Sequence, residues 1–114
     1  MHPSPGNEAQ PNLLRALRSL EGVKHAFLIS KTGHHLGGQM PKMADNTIFP
    51  SLISIAHGAA EQLGRECDDR LSYSMLVLND ELVVIMNIDE RTILGLVLSD
   101  EADMEKIIST VEHE

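Results

Sequence analysis

The sequence predicts an α+β domain in which helices cover both faces of a five-stranded antiparallel sheet, in the order α-β-β-α-β-β-β-α. Five apolar segments of strand length occur between residues 23 and 98, and three further segments carry the apolar spacing of amphipathic helices. Within each group the strands are joined by short turns, which suit antiparallel pairing. With 114 residues, 42% of them hydrophobic, the chain is long enough for one domain with its own core.

The chain begins with a segment that we expect to lie outside this domain. Residues 1–11 are rich in Pro and polar residues, which favours a flexible arm, and residues 12–113 form the predicted domain. The first helix is predicted over residues 12–21, because leucines recur along one side of it and Gly22 follows as a stop signal.

A hairpin is predicted after this helix. Residues 23–30 form a compact apolar strand, and residues 34–38 form a short, Gly-rich one. The turn Lys31-Thr32-Gly33 joins them, with Gly33 where a positive φ is expected. The short second strand suits an edge of the sheet.

The middle helix is predicted over residues 47–63, with Thr47 as its N-cap and Gly64 as its exit. It carries two apolar stripes, which together are broader than one sheet face requires. Small residues around His57 would let another backbone approach closely. The first stripe consists of Ile48, Leu52, Ile55, Ala59 and Leu63, and the second of Phe49, Ile53, Ala56 and Ala60.

Three strands follow as a meander, over residues 71–78, 81–88 and 92–98. The last two are apolar on both sides, so we expect helices on both faces of the sheet. A final helix is predicted after Asp100, which can cap it. Its apolar stripe consists of Met104, Ile107, Ile108 and Val111.

Composition excludes several classes of partner. The net charge is −8, which disfavours contact with phosphate backbones and anionic lipids, and aromatic residues are only 3% of the chain, too few for base stacking. No apolar run reaches the about 20 residues that span a bilayer. The single Cys67 allows no internal disulfide and suits a reducing compartment. We therefore expect a cytoplasmic protein that binds no nucleic acid and does not insert into membranes.

Signatures of catalysis are not found in the sequence: it contains no P-loop, no dinucleotide fingerprint and no nucleophile elbow. His34 and His35 are adjacent on a predicted strand, so they point to opposite faces and do not chelate one metal in regular geometry. Cys67 lies beside Asp68 and Asp69, whose charge disfavours a thiolate. The sequence predicts a protein that is not an enzyme and has no cofactor and no metal site.

The strand at residues 71–78 points to self-association. It has full length, no charge and no Pro, so as an edge it would need to be covered, and a second copy across a two-fold axis is the simplest cover. The middle helix immediately precedes it and could pack against its own copy. The predicted homodimer interface comprises Phe49, Ile53, Ala56, His57, Ala60, Ser72, Tyr73, Ser74, Met75 and Leu76.

A second contact region is predicted in the loop before the middle helix. Met40 and Met43 flank Pro41-Lys42 there, and flexible Met side chains are common at adaptable binding surfaces. We interpret Met40, Lys42 and Met43 as a candidate partner-contact loop.

Residues 17–33 resemble the opening of the roadblock/dynein light chain family. In that family a helix ends in an acidic-Gly-Val step, here Glu21-Gly22-Val23, and leads through a strand into a turn like Ser30-Lys31-Thr32-Gly33. The later elements match in order and spacing over residues 12–111, although the second strand departs from the pattern. The resemblance implies that residues 71–78 lie at a sheet edge and that two copies form one continuous sheet.

The resemblance also implies a non-enzymatic regulator or scaffold. Family members bind Ras-like small GTPases or form light-chain and membrane-anchoring assemblies. The leading interpretation is a homodimeric adaptor that binds and modulates a small GTPase. A structural light-chain-like scaffold subunit without a GTPase and a small-ligand sensor domain remain open, and the nature of the bound partner separates the three.

Overall fold

A computed structural model describes residues 10–113 of the chain. The elements occur in the predicted order: α1 (Pro11–Arg18), β1 (Val23–Ser30), β2 (His35–Gly38), α2 (Ile48–Glu66), β3 (Ser74–Val77), β4 (Leu82–Asn87), β5 (Thr92–Leu98) and α3 (Met104–His113). The predicted arm over residues 1–11 lies outside the described residues except at its end, where Pro11 already begins α1.

The sheet is antiparallel, with the strand order β2-β1-β5-β4-β3. Every residue of the central strand β5 is buried, because β5 has a neighbour on each side and a helical layer on each face. The edges are β2 and β3, as predicted. The pairing of β1 with β2 shifts register between Leu28 and Ile29, so the Gly-rich edge is irregular, as the sequence also indicated.

Two hydrophobic layers flank the sheet, which confirms the prediction of helices on both faces. α2 packs on one face, with Ile53 against Phe27, Ile85 and their neighbours. α1 and α3 pack together on the other, where Leu17 and Ile107 join the even-numbered side chains of β4 and β5. We call these the α2 face and the terminal-helix face.

The N-terminal caps differ from the predicted ones. Thr47 makes no side-chain cap hydrogen bond. Instead, Asp45 Oδ1 accepts hydrogen bonds from the N–H groups of Ile48 (2.9 Å) and Thr47 (2.8 Å), and these bonds hold the pKa of Asp45 below its usual range. Likewise Asp103, and not Asp100, caps α3 by accepting from Glu105 N–H at 3.0 Å. In both cases several acidic or hydroxyl residues precede the helix, and only the position where its backbone begins decides which one caps it.

The end of α2 also differs from the prediction. The helix continues past Gly64 to Glu66, and its left-handed residue is Asp68, with φ 55°. The Asp69 N–H donates to the Gly64 carbonyl at 2.9 Å and the Asp68 N–H to the Arg65 carbonyl at 3.0 Å, a Schellman closure. Asp tolerates this conformation better than most non-glycine residues, so α2 can end there without a glycine.

Candidate interaction surface

β3 is an edge whose outer side is unpaired within residues 10–113. The Leu78 N–H donates to the Glu81 carbonyl at 2.8 Å, which places the main-chain groups of residue 78 toward β4. Because these directions alternate along an antiparallel strand, the main-chain groups of Met75 and Val77 point away from the sheet. The edge therefore offers donors and acceptors to another strand.

The side chains of this edge are apolar on both faces. Leu76 pairs with Val83 and so lies on the α2 face, whereas Met75 pairs with Val84 and lies on the terminal-helix face. Exposure of residues 75–78 ranges from 38% at Met75 to 74% at Val77. No charge, Pro or bulge blunts the strand, which is unusual for an edge exposed to water. We call residues 74–78 the open edge.

The helix α2 carries an exposed apolar stripe along its whole length. Its large side chains are between 57% and 68% exposed, far more than side chains of this size in a core. Exposed apolar side chains that adjoin along one side of a helix are typical of interaction sites, which makes this stripe a candidate for one. We call it the outer stripe, and it consists of Ile48, Leu52, Ile55, Ala59 and Leu63.

The helix residues that the sequence predicted for the interface lie on the opposite side of α2. Ile53 and His57 are 5% and 2% exposed, and Phe49, Ala56 and Ala60 are half-buried. The Phe49 ring contacts the Phe27 ring edge to face, with centroids 5.6 Å apart. The periodicity identified both stripes, but it did not show which one the sheet would cover. The outer stripe is the part of this surface that sequence reasoning missed.

The predicted strand residues lie close to the open edge. Ser72 is exposed, and Tyr73 and Ser74 are half-buried before and at the start of β3. Tyr73 lines a groove of about 340 Å³ on the terminal-helix face, together with Met86, Ile108 and Val111. The predicted set ends at Leu76 and lacks Val77 and Leu78, which are more exposed than Met75 and Leu76.

The predicted contact loop is divided by the structure. Met40 is buried in the core under α2, so it is not available as the contact residue that the sequence predicted. Met43 is 97% exposed and Lys42 is exposed beside it. Met40 belongs to the same hydrophobic cluster as Phe27 and Ile53, and filling a core is a common role for the unbranched Met side chain.

A polar network fastens α2 to the end of β4. The His57 Nε2–H donates to Asn87 Oδ1 at 3.0 Å, and Asn87 Nδ2–H donates to Glu61 Oε2 at 3.0 Å. Lys31 Nζ lies 3.9 Å from the same Glu61 oxygen. The Asn87 hydrogen bond is the main cause that lowers the pKa of Glu61, with the charge of Lys31 adding to it against the effect of burial.

We expect Glu61→Gln to flatten the loss of stability in acid. The folded pKa of Glu61 lies below its ordinary value of 4.5, so between the two the unfolded chain binds more protons than the folded one. The stabilisation is therefore complete above 4.5 and is lost as the pH falls through the folded pKa. Urea unfolding from about pH 6 to about pH 3 measures this slope.

The matched control is Glu66→Gln, which removes an exposed carboxylate at the end of the same helix. It should retain more of the wild-type slope than Glu61→Gln does. Equal slopes for wild type and Glu61→Gln would contradict the prediction.

The histidines of the predicted second strand have local partners in the structure. Within residues 10–113, no three His, Cys, Asp or Glu side chains come together as a metal-binding group. His34 Nδ1 instead lies 3.2 Å from Thr32 Oγ1, and His35 Nε2 lies 3.0 Å from the Gly38 carbonyl. In the same part of the chain, no helix has the length and hydropathy needed to cross a bilayer.

Solved structures with this fold include two of MglB and one of a Roadblock/LC7 domain. MglB from Thermus thermophilus, described as a gliding protein, is 18% identical over 99% of this chain and 87% of its own, with a TM-score of 0.77. A structure of MglB with a tetrameric arrangement is 18% identical over 99% of this chain and 86% of its own, at 0.78. A Roadblock/LC7 domain from Streptomyces avermitilis is 15% identical over 89% and 90%, at 0.75.

The family of this chain follows from its sequence. A comparison with curated protein sequences finds no match. The family profile of the Roadblock/LC7 domain, however, matches residues 10–98, which include α1, α2 and the whole sheet. The chain is therefore a member of the Roadblock/LC7 domain family.

Proposed function

We propose that this Roadblock/LC7 domain is a non-enzymatic, cytoplasmic homodimer that binds and modulates a Ras-like small GTPase. The observation that carries the proposal is the open edge of β3 together with the outer stripe of α2, two apolar surfaces exposed in the same protomer. The family resemblance supports the GTPase as partner, and the tetrameric arrangement of one MglB structure supports self-association in this fold.

The dimer accounts for both surfaces at once. Eight of the nine large apolar side chains that are exposed within residues 10–113 belong to the open edge or the outer stripe. Burying one such side chain fully contributes about 1.5–3 kcal/mol, whereas association costs roughly 4–15 kcal/mol in lost freedom of motion. Burial of a few side chains would not offset the cost of association, but burial of the open edge and the outer stripe of both copies would. The revised interface replaces Ile53 and His57, which are buried in the protomer, with the outer stripe.

We expect Val77→Lys to weaken the dimer roughly a thousandfold, because the losses from the two copies add. Each copy loses about 2 kcal/mol of apolar burial, and the two-fold axis brings two added positive charges to the same edge. Lys is also the residue by which natural sheets protect their edges. Sedimentation equilibrium over a concentration series measures the dissociation constant.

Ser109→Lys serves as the control for this substitution. It adds the same charge at an exposed position of α3, which belongs to neither the open edge nor the outer stripe, and should leave the dissociation constant unchanged. A Val77→Lys protein that dimerises as tightly as this control would contradict the interface.

The GTPase proposal is tested by affinity capture. The full chain is immobilised, a lysate of the source organism is loaded with a GTP analogue or with GDP, and bound proteins are identified by mass spectrometry. We expect the immobilised protein to capture more of a small GTPase in one nucleotide state than in the other. The switch loops of such a GTPase are ordered differently with GTP and with GDP, and a rigid dimer surface can bind one arrangement in preference to the other. Capture of no GTPase in either state would overturn the proposal, and one nucleotide-independent partner would instead identify a scaffold subunit.

Lys42 and Met43 are proposed to belong to the partner contact and not to the dimer. They lie in the loop before α2, and Met43 is the most exposed large apolar residue within residues 10–113. In the capture experiment, Met43→Ala in the dimeric protein separates the two surfaces. It should reduce GTPase recovery and leave the dissociation constant of the dimer unchanged.

A further inference from the structure

We propose that the two-fold axis of the dimer passes through Leu76, so that Met75 of each copy pairs with Val77 of the other. The inference rests on the dimer proposed above and adds the register, which determines the residues that meet across the axis. It follows from main-chain directions, strand length and side-chain faces, all of which the protomer provides.

Main-chain directions restrict the register first. Leu76 and Ser74 share the direction of Leu78, whose N–H donates to β4, so only Met75 and Val77 direct their groups outward from β3. In an antiparallel partner the residues whose N–H and C=O groups point outward must lie opposite Met75 and Val77, and in a second copy these are the same two residues. Odd-numbered residues therefore face odd-numbered residues, and the axis passes through one residue of β3 and never between two.

Strand length then selects among the remaining registers. With the axis at Leu76, both outward residues pair within the extended strand Ser74–Val77, and each pair exchanges two N–H···O hydrogen bonds. With the axis at Met75 or Val77, only one such pair forms between strand residues. The other outward groups would face Tyr73 or the turn at Asn79, which lie outside the strand.

Side-chain faces agree with the same choice. On the α2 face Leu76 meets its own copy, and the small Ser74 leaves room for Leu78 of the second copy. On the terminal-helix face Met75 meets Val77, the most exposed residue of the edge. Met75, Leu76 and Val77 thus each face an apolar side chain of the second copy, whereas an axis at Met75 would place both Leu76 and Leu78 opposite serines.

Single cysteines report the register directly. The exposed native Cys67 is first replaced by Ser, and Leu76→Cys, Met75→Cys and Val77→Cys are then made separately in that background. A non-hydrogen-bonded antiparallel pair has a Cα separation of about 4.5 Å, within the disulfide range of about 4.4–6.8 Å. In this register Met75 of one copy is opposite Val77 of the other, so the two Met75 residues are offset by two positions, roughly 7 Å along the strand. That offset is too large for a disulfide between them.

Under mild oxidation we expect Leu76→Cys to form covalent dimers and Met75→Cys and Val77→Cys to form none alone. Mixing the Met75→Cys and Val77→Cys proteins should restore cross-linking, because those two positions face each other. Non-reducing electrophoresis reads the result, and sedimentation of each reduced variant establishes that it is dimeric beforehand.

The outcomes separate the register from the dimer. Cross-linking of Met75→Cys or Val77→Cys alone would overturn the register and retain the edge-to-edge dimer. A dimer that none of the three cysteines cross-links would remove the open edge from the interface. A monomeric Cys67→Ser protein would overturn the dimer and the register with it.

Discussion

Replacing Gly95 with Ala is expected to destabilise the domain by about 1–3 kcal/mol, the usual cost of overfilling a packed core. Gly95 lies in the central strand β5, directly opposite Phe27 of β1. A Cβ atom at this position would overlap Phe27 Cε1 and lie 2.5 Å from Cζ. The Phe27 ring has no free space to move into, because it is fully buried and packs against Phe49.

Urea unfolding of Gly95→Ala measures this loss, and a double substitution tests its cause. Phe27→Leu removes the ring that the new methyl group meets, so Gly95→Ala should cost less in that background. A coupling energy of about 0.5–3 kcal/mol is expected for residues in contact. Additive effects of the two substitutions would show that the ring is not the reason for the loss.

Gly22→Ala is expected to cost more than about 2 kcal/mol. Gly22 connects α1 to β1 at φ 86°, a conformation that by itself costs an L-residue about 1–2 kcal/mol. The added Cβ would also overlap Ala102 N and lie 2.6 Å from Ala102 Cα. These are backbone atoms of the segment that leads into α3, so the clash cannot be relieved by turning a side chain.

Gly58→Ala is the matched control for this substitution. Gly58 lies inside α2 with ordinary φ, and apart from its chain neighbours and the adjacent backbone of its own helix no atom lies within 4 Å of its Cβ position. Ala should therefore stabilise the protein by about 0.5–1 kcal/mol through its higher helix propensity. Thermal unfolding compares the two, and a Gly22→Ala protein as stable as wild type would contradict the packing of this turn against the α3 segment.

The residues that cap the helices were not predictable from the sequence. Thr47 and Asp100 were predicted as caps, and Asp45 and Asp103 serve instead. A capping side chain acts at hydrogen-bond distance, so a shift of two or three residues in the start of a helix selects another residue. The prediction that α2 ends at Gly64 was wrong for a related reason, because Asp68 adopts the left-handed conformation that ends the helix.

The interaction surface was only half predictable. The absence of charge and Pro in residues 71–78 indicated that this strand would need a partner if it lay at an edge, the family resemblance implied the edge, and the structure places β3 there. The choice between the two apolar stripes of α2 required the packed helix. Neighbouring stripes on a helix are both apolar, and the shape of the sheet below, with Phe27 and Ile85 filling its face, decides which one is buried.

The sequence by itself determined the fold class and the order of all eight elements, because apolar periodicity and turn chemistry are local properties of the chain, and the family resemblance implied that residues 71–78 lie at an edge. Only the tertiary structure decided that Met40 and His57 are buried, that the outer stripe and Val77 are exposed, and that Gly95 makes room for Phe27. These facts depend on residues distant in sequence meeting in space. Burial is a property of the assembled layers, and a linear pattern does not record what lies opposite a side chain.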